Sequence, residues 1–107
     1  MSFNIKQKIT FEWPVKLRIP GLKTYVEKEI VFKFKYLKQD EVEKTVALEY
    51  VTFCLQNVIG WDGIVDDNEK PVEFSPENLA ELLQFAGFAK EIFTTYLKVL
   101  SGVVEKN

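Results

Sequence analysis

An α+β fold is predicted by three features of this sequence. Apolar residues alternate at period two through residues 11–37, they recur at helical spacing after residue 40, and a Ser-Pro helix start lies between. The expected architecture is an N-terminal antiparallel β-hairpin packed on three C-terminal helices. A short second hairpin is expected between the first and second helix.

In "PVKLRIP", Val15, Leu17 and Ile19 alternate with Lys16 and Arg18, as in a half-buried strand. In "EIVFKFKYL", Ile30, Phe32, Phe34 and Tyr36 share one face, leaving Lys33 and Lys35 on the other. Pro20-Gly21 breaks the chain between them, and "GLKTYVEK" reads as a long, mobile connecting loop. A hairpin alone is marginal in water, so a second layer must cover its apolar face.

That layer is predicted to be helical. "QDEVEKTVALEYVTFCLQNVI" opens with Asp40 as N-cap, and Val42, Val46, Tyr50, Phe53, Cys54 and Val58 recur at helical spacing. Its wide apolar arc predicts one central, deeply buried helix, with Cys54 a small core residue. Gly60 is then expected to end it. Gly60, Trp61, Asp62 and Gly63 read as a structural turn, with Trp61 packed in the core. "GIVDDNEKPVEF" reads as the short second hairpin, closed by Asp66, Asp67, Asn68 and Glu69. Ser75 is the expected N-cap of the next helix, with Pro76 at its first position. Gly87 separates that helix, ending near Phe85, from a last one over Phe88 to about Ser101.

On the last helix, apolar residues fill about half the circumference, more than a core-covering helix usually needs. The surplus marks Phe93, Tyr96, Leu97 and Leu100 as candidate partner contacts, although a deeply set helix accounts for the same pattern.

The length of 107 residues predicts a single domain over 1–107. Its charge is divided. Residues 1–39 hold nine Lys or Arg against three acids, and residues 40–107 hold five against thirteen. A basic β-hairpin region thus precedes an acidic, mainly helical one, which suits complementary packing or self-association. The single cysteine fits a reducing compartment, and no apolar run reaches membrane-spanning length.

The chemistry available is narrow. Without histidine there is no His-based acid–base pair or nucleophile system, and one cysteine cannot build a zinc site. No Gly-rich phosphate loop occurs. The acids Asp62, Asp66, Asp67, Glu69 and Glu73 lack EF-hand order and read as solvated turn formers. The expectation is a non-enzymatic protein with no catalytic residues, metal or cofactor. Nucleic-acid binding is disfavoured, because the chain is acidic and its hairpin aromatics face away from the lysines.

Taken together, "PVKLRIPG", "EIVFKFKYLKQDEVEK", "VIGWDGIVDDNEKPVEFSPENLAELL" and a last apolar helix before a terminal "KN" resemble the tail assembly chaperones of long-tailed phages and prophages. The resemblance covers most of the chain. It implies a protein of the host cytoplasm that binds the tape measure protein and keeps it soluble during tail assembly, as a homo-oligomer and without membrane contact. It also implies a second, longer form in some members, made by frameshifting near the end of the short one. The alternative is a minor tail or connector protein retained in the virion.

Overall fold

A computed structural model of the chain describes residues 2–105. The expected α+β architecture is present: an antiparallel sheet on one side and a helical layer on the other. Strands β1 (Thr10–Pro20) and β2 (Tyr25–Lys35) form the hairpin, in unbroken register from Thr10 opposite Lys35 to Pro20 opposite Tyr25. The long mobile loop expected over residues 21–28 is therefore absent. Tyr25 and Val26 are good strand formers and pair with Pro20 and Ile19, leaving only four residues to turn. The Gly21 N–H donates to the Thr24 carbonyl at 2.6 Å and closes that turn.

Val15, Leu17, Ile30, Phe32 and Phe34 are buried as the alternation predicts, whereas Ile19 and Tyr36 remain exposed. On the opposite face the basic residues do not stand alone. Register places Glu12 opposite Lys33, Lys16 opposite Glu29 and Arg18 opposite Glu27, so charge largely cancels across the two strands.

The region after residue 38 departs from expectation in two ways. First, the single central helix is two: α1 (Gln39–Thr45) and α2 (Tyr50–Asn57). The adjacent β-branched Thr45 and Val46 weaken the helix there, and a turn bonded from Leu48 N–H to the Thr45 carbonyl reorients the chain. Asp40 is also not the N-cap. Lys38 is, its N–H donating to Glu41 Oε1 at 2.9 Å, while Asp40 lies in the first turn beside the positive helix end. The break leaves Tyr50, Val51 and Leu55 exposed, while Phe53 and Cys54 point into the core.

Second, Gly60 does not end a helix. The helix stops at Asn57, and Val58–Asp62 form a third strand, β3, antiparallel to β2. The sheet order is β1-β2-β3. Gly60, Trp61 and Asp62 are thus strand residues rather than a turn. Gly60 lies opposite Lys33, where an added Cβ would meet Lys33 Cβ at 3.3 Å. Gly63 alone makes the turn, at φ 115°.

The second hairpin exists in minimal form. Val65 bridges Pro71, and the Val72 N–H donates to the Ile64 carbonyl. Asp66 holds its tip by accepting from the Asn68 and Lys70 N–H groups. Helix α3 (Pro76–Leu82) then begins as the sequence indicates, with Ser75 Oγ accepting from the Asn78 N–H at 3.0 Å. Gly87, at φ 88°, turns the chain into α4 (Phe88–Glu105). This helix, not α2, runs through the centre of the core. The terminal "KN", Lys106 and Asn107, lies outside the described residues.

Candidate docking groove

The four residues of α4 marked as candidate partner contacts, Phe93, Tyr96, Leu97 and Leu100, lie on its core-facing side. Phe93 and Tyr96 are buried, and Leu97 and Leu100 pack partly buried against the same core. The wide arc is consumed because α4 meets β1 on one side and α2 on the other. Phe93 stacks edge-on to Phe53 with ring centroids 4.9 Å apart, and Tyr96 contacts Phe34 and Phe53. Phe93 and Tyr96 are part of the core, and Leu97 and Leu100 border it.

Trp61 is half-buried on β3, where its ring meets Phe74 edge-on at 5.2 Å. Its indole N–H donates to the Val72 carbonyl at 2.9 Å, which ties the second hairpin to the sheet. Trp61 is a joint between elements, as its sequence context suggests. Cys54 is buried, its thiol directed at the Ala89 carbonyl, and burial pushes it up to about 12. The nucleophilic thiolate is therefore suppressed at neutral pH.

The unfilled apolar surface lies elsewhere. At the turn end of the hairpin the paired residues Ile19 and Val26 are exposed, so the helical layer leaves that end of the sheet uncovered. Beside that end is an open groove of about 940 Å³, within the size range of ligand-binding clefts. The sheet contributes Ile19 and Ile30, the second hairpin Val65, and the end of α3 with the turn after it Leu82 and Phe85. Three of these stand in solvent: Phe85 is 60% exposed, Val65 53% and Ile19 39%. The charged residues that line it are Arg18, Lys28 and Glu29 from the sheet, Asp66 and Asp67 from the hairpin tip, and Glu81 from α3. Asp66 is occupied by its own turn, whereas among the described residues no hydrogen bond or ion pair engages the carboxylates of Asp67 and Glu81.

Sequence reasoning did not select this groove. Ile19 was legible only as one more inward strand residue, and Phe85 as the last residue of a helix. One signal was available: α3 ends before Phe85 and Gly87 diverts the chain, so an aromatic placed there lies beyond the helix–sheet contact.

Among the described residues no three His, Cys, Asp or Glu are grouped so as to hold a metal, and no helix is long and apolar enough to cross a membrane. No curated protein and no solved structure matches this chain. A model of a prophage family, described as YdaY prophage protein, matches residues 27–100. The match runs from near the start of β2 into α4 and takes in β3, the second hairpin and most groove residues. Spanning more than half of the chain, it places this protein in the YdaY prophage protein family.

Proposed function

We propose that this protein is a tail assembly chaperone. It binds the tape measure protein through the apolar groove and keeps it soluble in the host cytoplasm while the tail is built. The carrying observation is the groove itself, with Ile19, Val65 and Phe85 presented to solvent around a cleft of about 940 Å³. Exposed apolar surface is costly for a chain that works alone, and its usual explanation is a partner. A long, apolar, helical client presents side chains at i, i+3, i+4 and i+7, and a groove receives such a stripe. Membership of a prophage family supports the phage setting. The action is binding and release, not catalysis.

The test is co-expression with the tape measure protein encoded nearest to this gene, followed by pull-down and size-exclusion chromatography. The expected outcome is a soluble tape measure that co-elutes. An insoluble tape measure beside a freely eluting chain would overturn the reading, and recovery of the chain from purified virions would identify it as a structural tail component.

A further inference from the structure

The sheet has two edges, and β1 forms the longer one, with eleven residues against five in β3. Two hydrogen bonds fix which way its backbone points. The Gly21 N–H donates to the Thr24 carbonyl and the Tyr36 N–H to the Ile9 carbonyl, and these pairs continue the β1–β2 register by one step at either end. In an antiparallel ladder, bonded pairs alternate with pairs whose N–H and C=O groups point away from each other. The odd-numbered residues of β1 therefore bond to β2. The even-numbered ones, Thr10, Glu12, Pro14, Lys16, Arg18 and Pro20, turn their backbone groups to the open edge. All six are exposed, and among the described residues no hydrogen bond reaches their backbone from another element.

A bare edge of this length is a template for a further strand unless something blunts it. Strand β3 is blunted by its shortness and by the register shift between Lys33 and Phe34. Strand β1 is blunted by composition. Both of its prolines lie at even positions, so each removes an N–H from the open edge and neither removes one from the ladder to β2.

Charge would not keep two copies apart at this edge. A two-fold axis at Pro14 would set Glu12 of each copy opposite Lys16 of the other, and Thr10 opposite Arg18. Within each copy Glu12 already faces Lys33 and Lys16 faces Glu29. The row across four strands would then read Lys33, Glu12, Lys16, Glu29, alternating in sign throughout. What the pairing would lack is its centre, where Pro14 would meet Pro14 with no N–H on either side.

We infer that Pro14 keeps the sheet three-stranded by closing the edge of β1 to a second copy of this chain, with Pro20 closing the turn end. This role is independent of the groove and of what the groove binds.

The test uses the full chain carrying Pro14→Thr, with the double substitution Pro14→Thr/Lys16→Pro as its control. Threonine suits an exposed strand position and supplies the missing N–H. Lys16 also faces the open edge, so a proline there restores the block and leaves the ladder intact. Sedimentation across a concentration series should show Pro14→Thr self-associating about tenfold or more tightly than wild type, and the double variant returning to wild-type behaviour. Amide hydrogen exchange locates the contact. In dilute wild type the Lys16 and Arg18 amides should exchange freely while that of Leu17 is protected, and both should become protected as Pro14→Thr associates. The wild-type exchange pattern tests the direction of the edge without any variant. Protection of Lys16 and Arg18 in dilute wild type overturns the proposal, since the edge would already be covered. It is equally overturned by a folded Pro14→Thr chain that associates no more than wild type, or by a double variant that associates as strongly as Pro14→Thr.

Discussion

The Tyr96 hydroxyl donates to the Lys35 carbonyl at 2.8 Å and accepts from the Leu37 N–H at 3.3 Å, so one phenol from α4 caps the point where β2 leaves the sheet. Lys35 is the last residue of β2 and Leu37 lies two residues beyond it, so the bond pair spans the strand's end. The ring below the hydroxyl packs among Phe11, Phe34 and Phe53. Tyr96 thus joins the hairpin to the helical layer by hydrophobic and polar contacts together.

Tyr96→Phe should retain the aromatic packing and lose both hydrogen bonds. Stranding a partly buried carbonyl and N–H costs about 1–3 kcal/mol. In a domain of this size each kcal/mol lowers the melting temperature by roughly 4–8 °C. Thermal unfolding followed by circular dichroism checks this, and an unchanged midpoint would show that water replaces the phenol.

Alkaline pH should destabilise the fold. Burial raises the Cys54 thiol from its ordinary 9.0 to about 12, and burial also raises the Tyr96 phenol, opposed by the Leu37 N–H that favours its charged form. Both groups are neutral when protonated, so the unfolded chain releases its protons at lower pH than the native one. Their contribution is intact below the unfolded values and is lost as pH rises through the folded ones. Urea midpoints should therefore fall between pH 9 and 12. Cys54→Ala should show a shallower fall over that range, whatever its stability at neutral pH. An equal slope would mean that the thiol is not protected by burial.

Trp61→Ala should lower stability by about 3 kcal/mol, toward the low end for truncating a large aromatic because the ring is only half-buried. Trp61→Phe should lose about 1 kcal/mol, since it keeps an aromatic against Phe74 but gives up the bond to Val72. Chemical denaturation separates the two variants. Full stability of Trp61→Ala would show that the second hairpin is held without this joint.

The sequence was most readable where local chemistry and tertiary packing agree. The alternation of Val15 and Leu17, and of Ile30, Phe32 and Phe34, predicted the buried face directly, and Ser75-Pro76 predicted the start of α3. It misled where periodicity continued across a break. Val42 to Val58 repeats at helical spacing, yet Thr45-Val46 interrupts the helix and Val58 already belongs to a strand. Strand β3 was hidden because it has only five residues and contains Gly60, which in isolation signals a stop. The half-circumference arc of α4 could mean a partner or a central position, and only the placement of β1 and α2 decides between them. The groove was least readable of all. It is lined jointly by β1, β2, the second hairpin and α3, a relation between elements that no single stretch encodes.

The central claim, that the groove is the client-binding surface, is tested most directly by pull-down of co-expressed tape measure protein with Val65→Asp, Phe85→Asp and wild-type chains, each first shown to melt alike. Val65 and Phe85 stand largely in solvent, so both variants should fold normally. The account predicts that wild type recovers soluble tape measure and that both variants leave it insoluble. Capture by folded variants at the wild-type level would contradict it and move the client site off the groove.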